Sequence, residues 1–289
     1  MPDFLTVREL ADLLRVKERK IYDLAAKGAV PCSKVTGKLL FPEDEIRAWI
    51  AAGAASAPAP FETATDRPAV LLGSHDPLLD WAVRQSQCGL ASFLGGSGDG
   101  LDRFARGEGV IAGLHLRDET GDGWNIASVA RIAPPGAVLL RGFTRARGLL
   151  LRPDSTITGL AGLDGARVVP RQEGSGTATL LDALLAEAGV APSRIDWQDT
   201  AFNEADAALA VQQGSADATL GLASLAETHG LRFLPLLEER FDLLVCRRAY
   251  FDPGLQTLFG FLRSESFAAQ AARQPGYAIA GLGEVLWNA

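Results

Sequence analysis

The segment Val168-Val169-Pro170-Arg171-Gln172-Glu173-Gly174-Ser175-Gly176-Thr177, with Ala178 to Gly189 behind it, constrains the fold more than any other stretch. The Val-Val run reads as a buried strand, Gly-Ser-Gly-Thr as a tight turn, and the leucines after it recur at helical spacing. Strand, turn and helix N-terminus in that order leave backbone N–H groups unpaired where the helix begins. Joined by the hydroxyls of Ser175 and Thr177, they make a site for an anionic group.

A chain of 289 residues with 47% hydrophobic and 22% charged residues is globular and long enough for two or three domains. Met1-Pro2-Asp3-Phe4-Leu5 runs into charged, helix-forming sequence, and no apolar run approaches the roughly 18–20 residues of a membrane span. A cytoplasmic protein without membrane contact is expected. Cys32, Cys88 and Cys246 are odd in number and show no C-x-x-C pattern, which argues against a disulfide framework or a structural zinc site and for buried free thiols. The net charge of -7 is uneven: residues 1–52 hold nine Lys and Arg against eight Asp and Glu, the rest 19 against 27. Any DNA contact therefore belongs to the N-terminus, because the acidic remainder repels a phosphate backbone.

Thr6 followed by Glu9 is a capping box, and Val7, Leu10, Ala11 and Leu14 give the first helix its apolar face. Glu18 to Lys27 is a second helix with Ile21, Leu24 and Ala25 inward and Gly28 as C-cap. Val30 to Phe41 reads as a hairpin with its tip at Gly37, and after Pro42 the acidic Glu43-Asp44-Glu45 opens a third helix, as the helix dipole prefers. Leu5-Thr6-Val7, Val16, Ile21-Tyr22, Gly28, Pro31, Gly37 and the closing Pro-x-x-x-Ile-x-x-Trp from Pro42 to Trp49 resemble the excisionase and MerR-like winged helix-turn-helix family. The resemblance implies that the second helix enters a DNA groove, with Lys17, Arg19, Lys20 and Tyr22 as contacts and Lys34 and Lys38 on the wing touching phosphate or the minor groove. Glu18 and Asp23 weaken the field of that helix, so useful affinity calls for a homodimer on a two-part site.

Ala51 to Pro60 and the polar stretch to Pro68 read as an Ala/Pro linker, placed at residues 53–68 between a domain of 1–52 and one of 69–289. From Ala69 onward strands and helices alternate, which argues for parallel α/β sheets with polar turns at the strand carboxyl ends. The apolar runs 138–140 and 148–151 read as separate pieces, as do 231–236 and 241–246, the latter as the last strand. Gly174-Ser175-Gly176-Thr177 lacks the Lys of a P-loop. Gly95 to Gly100 would need Gly at Leu101 for a dinucleotide fingerprint. Neither loop fits G-x-S-x-G, and three histidines without H-E-x-x-H make no metal or catalytic constellation. No enzyme, catalytic residue, metal or cofactor is expected.

The turns at Ser74, Ser97, Ser175 with Thr177, and Asn203 precede helices, and plain N-capping and ligand binding are both open for them. The blocks Gly73-Ser74-His75-Asp76, Ala112 to Leu116, Trp124-Asn125, Arg171-Gln172-x-Gly174-Ser175-Gly176-Thr177, Gly214 to Ala218 with Leu220-Gly221, and Leu236 to Asp242 resemble the periplasmic-binding-protein-like domain attached to winged-helix regulators and molybdopterin-biosynthesis proteins. That resemblance implies a two-lobed, type II α/β domain, lobe I at about 69–160 and 240–289 and lobe II at about 161–239, crossing near 157–165 and 236–242. It implies ligand contacts from Ser74, His75, Asp76, Ser97, His115, Trp124, Asn125, Arg171, Gly174, Ser175, Gly176, Thr177, Asn203 and Gly221, and molybdate or tungstate as the ligand. Asp76 and Glu173 would repel a dianion unless they point outward or pair with Arg171 or His75. An organic ligand stacked on Trp124 is the other reading, and core packing is the other fate of Trp124. The expectation is a cytoplasmic one-component transcription regulator with a ligand-sensing domain. The alternative is a ligand-sequestering protein whose winged domain docks a protein partner.

Overall fold

The computed structural model describes residues 4–14, 16–35, 37–56, 67–118 and 123–289. It divides into two compact units, Met1–Thr65 and Asp66–Ala289.

The first unit runs β1 (Phe4–Leu5), α1 (Val7–Leu13), α2 (Glu18–Ala26), β2 (Ser33–Val35), β3 (Lys38–Pro42) and α3 (Glu43–Ser56). Thr6 caps α1 in a complete capping box with Glu9, so two otherwise unpaired N–H groups are satisfied at the helix start. Gly37, at φ +77°, turns the hairpin between β2 and β3, a conformation that costs other residues a clash of Cβ with the backbone. β1 adds to the far edge of β3, completing a three-stranded antiparallel sheet. Leu10, Ala11, Ile21, Val30, Phe41 and Ile46 form its core, with Trp49 packed against them. α3 continues through the alanine-rich run to Ser56, so the first residues of the expected linker are helical, as the high helix propensity of alanine favours. Residues 57–66 of that linker, Arg15 and Thr36 lie outside the described residues.

The second unit begins with β4 (Val70–Gly73), α4 (Pro77–Ser86), β5 (Ala91–Phe93), α5 (Ser97–Ala105), β6 (Ile111–Leu114) and α6 (Ile126–Ile132). β7 (Ala137–Leu151), β8 (Arg167–Val168), α7 (Gly176–Glu187), β9 (Asp196–Trp197), α8 (Glu204–Gln212), β10 (Ala218–Leu222) and α9 (Ala223–Thr228) follow. The chain closes with β11 (Arg232–Cys246), α10 (Pro253–Leu262), α11 (Glu265–Ala272), β12 (Tyr277–Ala278) and β13 (Val285–Asn288). The strands join in the order β5-β4-β6-β11-β7-β10-β8-β9, with β12 and β13 also pairing β7.

The sheet is mixed, where uniform alternation predicted parallel strands. β4, β5 and β6 are parallel at one end and β10, β8 and β9 at the other, but β7 and β11 are antiparallel to each other and to their outer neighbours. These two strands of 15 residues each are single elements through the positions read as separate runs, and β11 is followed by two further strands. They form a ribbon that serves both lobes: Val138 to Leu140 pair with Leu243 to Val245 in the first, Leu149 to Leu151 with Arg232 to Leu234 in the second. The expected crossover near 236–242 falls inside β11. The one expected near 157–165 does not cross; the first passage is β7 itself. Arg141, Arg145 and Arg147 broke the apolar pattern there and disguised one strand as two.

Alternate strand residues bury on opposite faces, as the pleat requires. Leu71, Ile111 and Leu243 pack toward α4 and α10, while Leu72, Ala112 and Leu244 join Phe104 and Val129 on the other side. In the second lobe Leu149 and Leu151 meet Leu180, Leu184 and Leu185 of α7, and Leu150 meets Ala208 and Leu225. Burial on both faces explains the continuous apolar runs. Cys88 is buried, Cys246 partly so, and Cys32 is exposed on the first unit; all three are free thiols, and only Cys88 matches the expected burial. No helix among the described residues is long and apolar enough to cross a membrane.

Candidate functional site

The carboxyl ends of the strands in the two lobes converge on one cavity. On the first lobe it is lined by Ser74 and His75, which follow β4, by Gly96 before α5, and by His115 after β6. On the second it is lined by Arg171, Gln172, Ser175 and Thr177 around the start of α7, with Phe202 and Glu204 at the start of α8. The lobes are closed on each other and leave a cavity of about 20 Å³.

Helix starts set the character of this cavity. Ser175 caps α7, its Oγ accepting from the Ala178 N–H at 3.1 Å, which leaves its hydroxyl proton free to donate. α5 begins behind Gly96, which brings no side-chain cap, so its first-turn N–H groups stay available. The two helix starts meet: a Cβ on Gly96 would lie 3.4 Å from Ser175 Cα, and one on Gly176 would lie 2.6 Å from His115 Cε1. Glycine at both positions is what lets the jaws close. Ser74 and Ser97 do not cap their helices. Their hydroxyls pair at 2.8 Å, and Ser97 Oγ accepts from the His115 backbone N–H at 3.0 Å, so the pair still holds one hydroxyl proton to give. α4 is capped instead by Asp76, whose Oδ1 accepts from the Leu79 N–H at 2.8 Å.

Behind the cavity lies a buried ion-pair network that joins the lobes through the ribbon. Arg145 on β7 stands directly opposite Glu239 on β11 and bonds it, and its other arm donates to Asp76 Oδ2 at 2.7 Å. Arg147, two residues along and so on the same face of the strand, places Nε 2.7 Å from Glu239 Oε2 and Nη2 3.0 Å from Glu204 Oε1, and also bonds Thr177. Arg171 Nη1 lies 3.0 Å from Glu204 Oε1, to which the Thr177 hydroxyl donates at 2.8 Å. Tyr277 donates its hydroxyl to Asp76 Oδ2 at 2.7 Å.

Burial sets the protonation states together with these neighbours. Burial raises the Glu204 pKa, but the guanidiniums of Arg147 and Arg171 outweigh it and bring it down to about 2. Glu239 is pulled below the ordinary range in the same way by Arg145 and Arg147 against the cost of burial. Burial lowers the His115 pKa, and the pull of Glu239, 2.7 Å from Nδ1, does not make up for it. His115 is therefore neutral, with its proton on Nδ1 facing the carboxylate. Burial likewise lowers Arg171 and, with Asp76, raises Tyr277.

Of the sequence-predicted contacts, Ser74, His75, His115, Arg171, Ser175 and Thr177 line the cavity, and Gly174, Gly176 and Ser97 stand at the meeting of the helix starts. Asp76 is turned to Arg145 and Tyr277, and Glu173 is exposed, so neither carboxylate faces the cavity. Asn203 caps α8 by accepting from the Asp206 N–H at 2.8 Å. Three predicted contacts are placed elsewhere. Trp124 packs with Leu149, Leu163 and Leu180 in the second lobe's core. Asn125, at φ +65°, bonds Asp242 and the Leu116 N–H and so fixes a turn. Gly221 faces Leu150 near the end of β10. Sequence reasoning missed Arg145, Arg147, Glu204 and Glu239. The Arg-x-Arg spacing inside an apolar strand was the signal, since it sends both charges to one face.

On the first unit Lys17, Arg19, Lys20 and Tyr22 are exposed at the start of α2, and Lys34 and Lys38 are exposed on the hairpin. Asp23 is engaged by Lys27 at 3.6 Å, which leaves the basic start of the helix its own field.

Residues 80–263 match the model of the PBP superfamily domain, and residues 4–54 that of a helix-turn-helix domain. The YvgK protein of Bacillus subtilis (strain 168) is 28% identical over 302 aligned positions, covering 97% of each chain. Among solved structures, a protein described as a phosphate ABC transporter substrate-binding protein, with bound phosphate, from Clostridium perfringens superposes with a TM-score of 0.54 at 13% identity, over 73% of this chain and 98% of that one. The tungstate ABC transporter structure from Geobacter sulfurreducens gives 0.51 at 13% identity, over 69% and 95%. At such identities these two likenesses show the fold alone.

Proposed function

The chain belongs to the PBP superfamily domain family, with a helix-turn-helix domain ahead of that domain, and from this premise we propose a cytoplasmic one-component transcription regulator that senses a small oxyanion. The observation that carries the ligand class is the meeting of the α5 and α7 starts, with the hydroxyls of Ser74, Ser97 and Ser175, at one small cavity. Helix-start N–H groups and hydroxyls replace the hydration of a tetrahedral anion without a free counter-charge. Molybdate and tungstate are the oxyanions implied by the sequence resemblance, and the two superposed structures are a phosphate-bound substrate-binding protein and a tungstate ABC transporter.

In this reading Lys17, Arg19, Lys20, Tyr22, Lys34 and Lys38 contact DNA in a homodimer, and ligand-linked motion of the β7–β11 ribbon alters the spacing of the two DNA-binding units. Two measurements test it. The melting temperature is followed against molybdate, tungstate, phosphate and sulfate at millimolar concentration, because a ligand of the folded state alone raises it by mass action. A rise with at least one of them is expected, and none with any removes the oxyanion. Retention of DNA from the protein's own upstream region is then measured against salt. A steep loss with rising salt is expected, and no binding at low salt leaves the ligand-sequestering alternative.

A further inference from the structure

Arg67 stands where the chain enters the second unit, directly after residues 57–66. Its side chain turns back onto α5. Nη1 donates to the Phe104 carbonyl at 2.7 Å and to the Gly109 carbonyl at 3.0 Å, and the guanidinium lies 4.5 Å above the centre of the Phe104 ring. Phe104 is in the last turn of α5 and fully buried in the core beside β4 and β6. A cation suits a helix C-terminus, whose last carbonyls lack partners within the helix. Two hydrogen bonds and a stacked ring therefore fasten the entry of the linker to the end of α5.

The other end of α5 lies at the cleft. A Cβ on Gly96 would come 3.4 Å from Ser175 Cα, and one on Gly98 would come 3.4 Å from the Gly174 carbonyl oxygen, so the start of α5 bears on the second lobe when the lobes are closed. Between its ends the helix rests on the sheet backbone itself: a Cβ on Gly100 would lie 2.2 Å from Gly73 Cα. A contact of backbone on backbone has no side chain that could rotate and absorb a displacement, and close-packed interiors transmit strain. With nine residues, about 13 Å of helix, α5 thus runs from the contact between the lobes to the side chain that holds the linker.

We propose that Arg67 couples the two functions of the chain: it makes the position of α5, set at the cleft by closure on the ligand, determine where the linker leaves the second unit. The proposal rests on the regulator reading above and names the route of its signal. Arg67 touches neither cavity nor DNA-contact residues and acts as a positioning residue. The β7–β11 ribbon lets the lobes move, and α5 with Arg67 carries that motion to the linker.

The test uses the full chain with two probes: whichever of molybdate, tungstate, phosphate and sulfate raises the melting temperature most, and DNA from the protein's own upstream region. DNA affinity is measured by fluorescence anisotropy with and without that anion, and anion affinity by calorimetry. In the wild type the anion is expected to change DNA affinity at least ~5-fold. In Arg67→Ala the affinities for the anion alone and for DNA alone are expected to stay within ~2-fold of the wild type, while the anion's effect on DNA affinity falls below ~2-fold. A merely structural role would lower the melting temperature or the anion affinity and leave that ratio as it was. An undiminished ratio in folded Arg67→Ala, or loss of anion binding by it, overturns this proposal and leaves the regulator reading. Should Arg67→Ala not fold, Arg67→Lys is read in the same way, because an ammonium cannot lie flat on Phe104 while it bonds both carbonyls. A wild type whose DNA affinity the anion does not change overturns both.

Discussion

The two units keep their charge in opposite places. In the first, the buried residues among those described are apolar, Leu10, Ile21, Phe41 and Ile46 at their centre, and the ion pairs Asp23–Lys27 and Glu43–Arg47 are largely exposed. In the second, Arg145, Arg147, Asp76, Glu204 and Glu239 are all buried. The first unit is an ordinary small core whose stability follows from apolar area. The second takes charges out of water, and the desolvation cost offsets most of their mutual attraction. What the network supplies is position: it ties the starts of α4, α7 and α8 to one point on the β7–β11 ribbon.

The sharpest break of this contrast is Glu239→Ala, which strips the shared carboxylate from Arg145, Arg147 and His115. A loss of about 3–5 kcal/mol is expected in the urea unfolding of the second unit, with the first unit's transition unmoved. The next effect is on acid stability. The pKa of His115 lies below its ordinary 6.5 when folded, so the unfolded chain binds the extra proton. Its contribution is complete above pH 6.5 and shrinks as pH falls below it. Glu204, at about 2 against an ordinary 4.5, adds a separate decline between pH 4.5 and 2. Melting followed from pH 7.5 to 5.5 should fall for the second unit, and His115→Gln should flatten that stretch alone. The first unit holds none of the three histidines and should stay level. Smaller still is Thr6→Ala, which opens the capping box and costs the first unit about 1 kcal/mol by the same unfolding measurement. Last comes Arg47→Ala, which removes a surface partner of Glu43 and changes stability by less than about 0.5 kcal/mol.

The same contrast decides what could be read from the sequence. Thr6 with Glu9, Gly28, Gly37 and the apolar spacing of α1 and α2 act locally or through one apolar face, and the first unit was legible nearly element by element. In the second, the helix starts at Ser175 and Asn203 were legible as caps, because capping is a short-range interaction. Ser74 was not, since the cap passed to Asp76 two residues later. The ribbon was hidden because Arg145 and Arg147 sit in a strand interior where polarity usually signals a loop. Their partners come from 30 to 94 residues away, and no local pattern carries that information. Glu204 was hidden for the same reason: at the first turn of α8 an acid has a sufficient local explanation in the helix dipole.

The ribbon also has a consequence for synthesis. β7 is complete at Leu151, but the strand that covers most of its length ends at Cys246. At the pace of translation, roughly 5–20 residues per second, an apolar strand waits on the order of 10 s with an edge unpaired. Neither lobe can finish before the other has begun. The nascent chain therefore passes through an interval of exposed β edge that the finished protein never shows, and expression of this fold should be limited there, by aggregation on the ribosome's timescale, more than by the stability of the folded product.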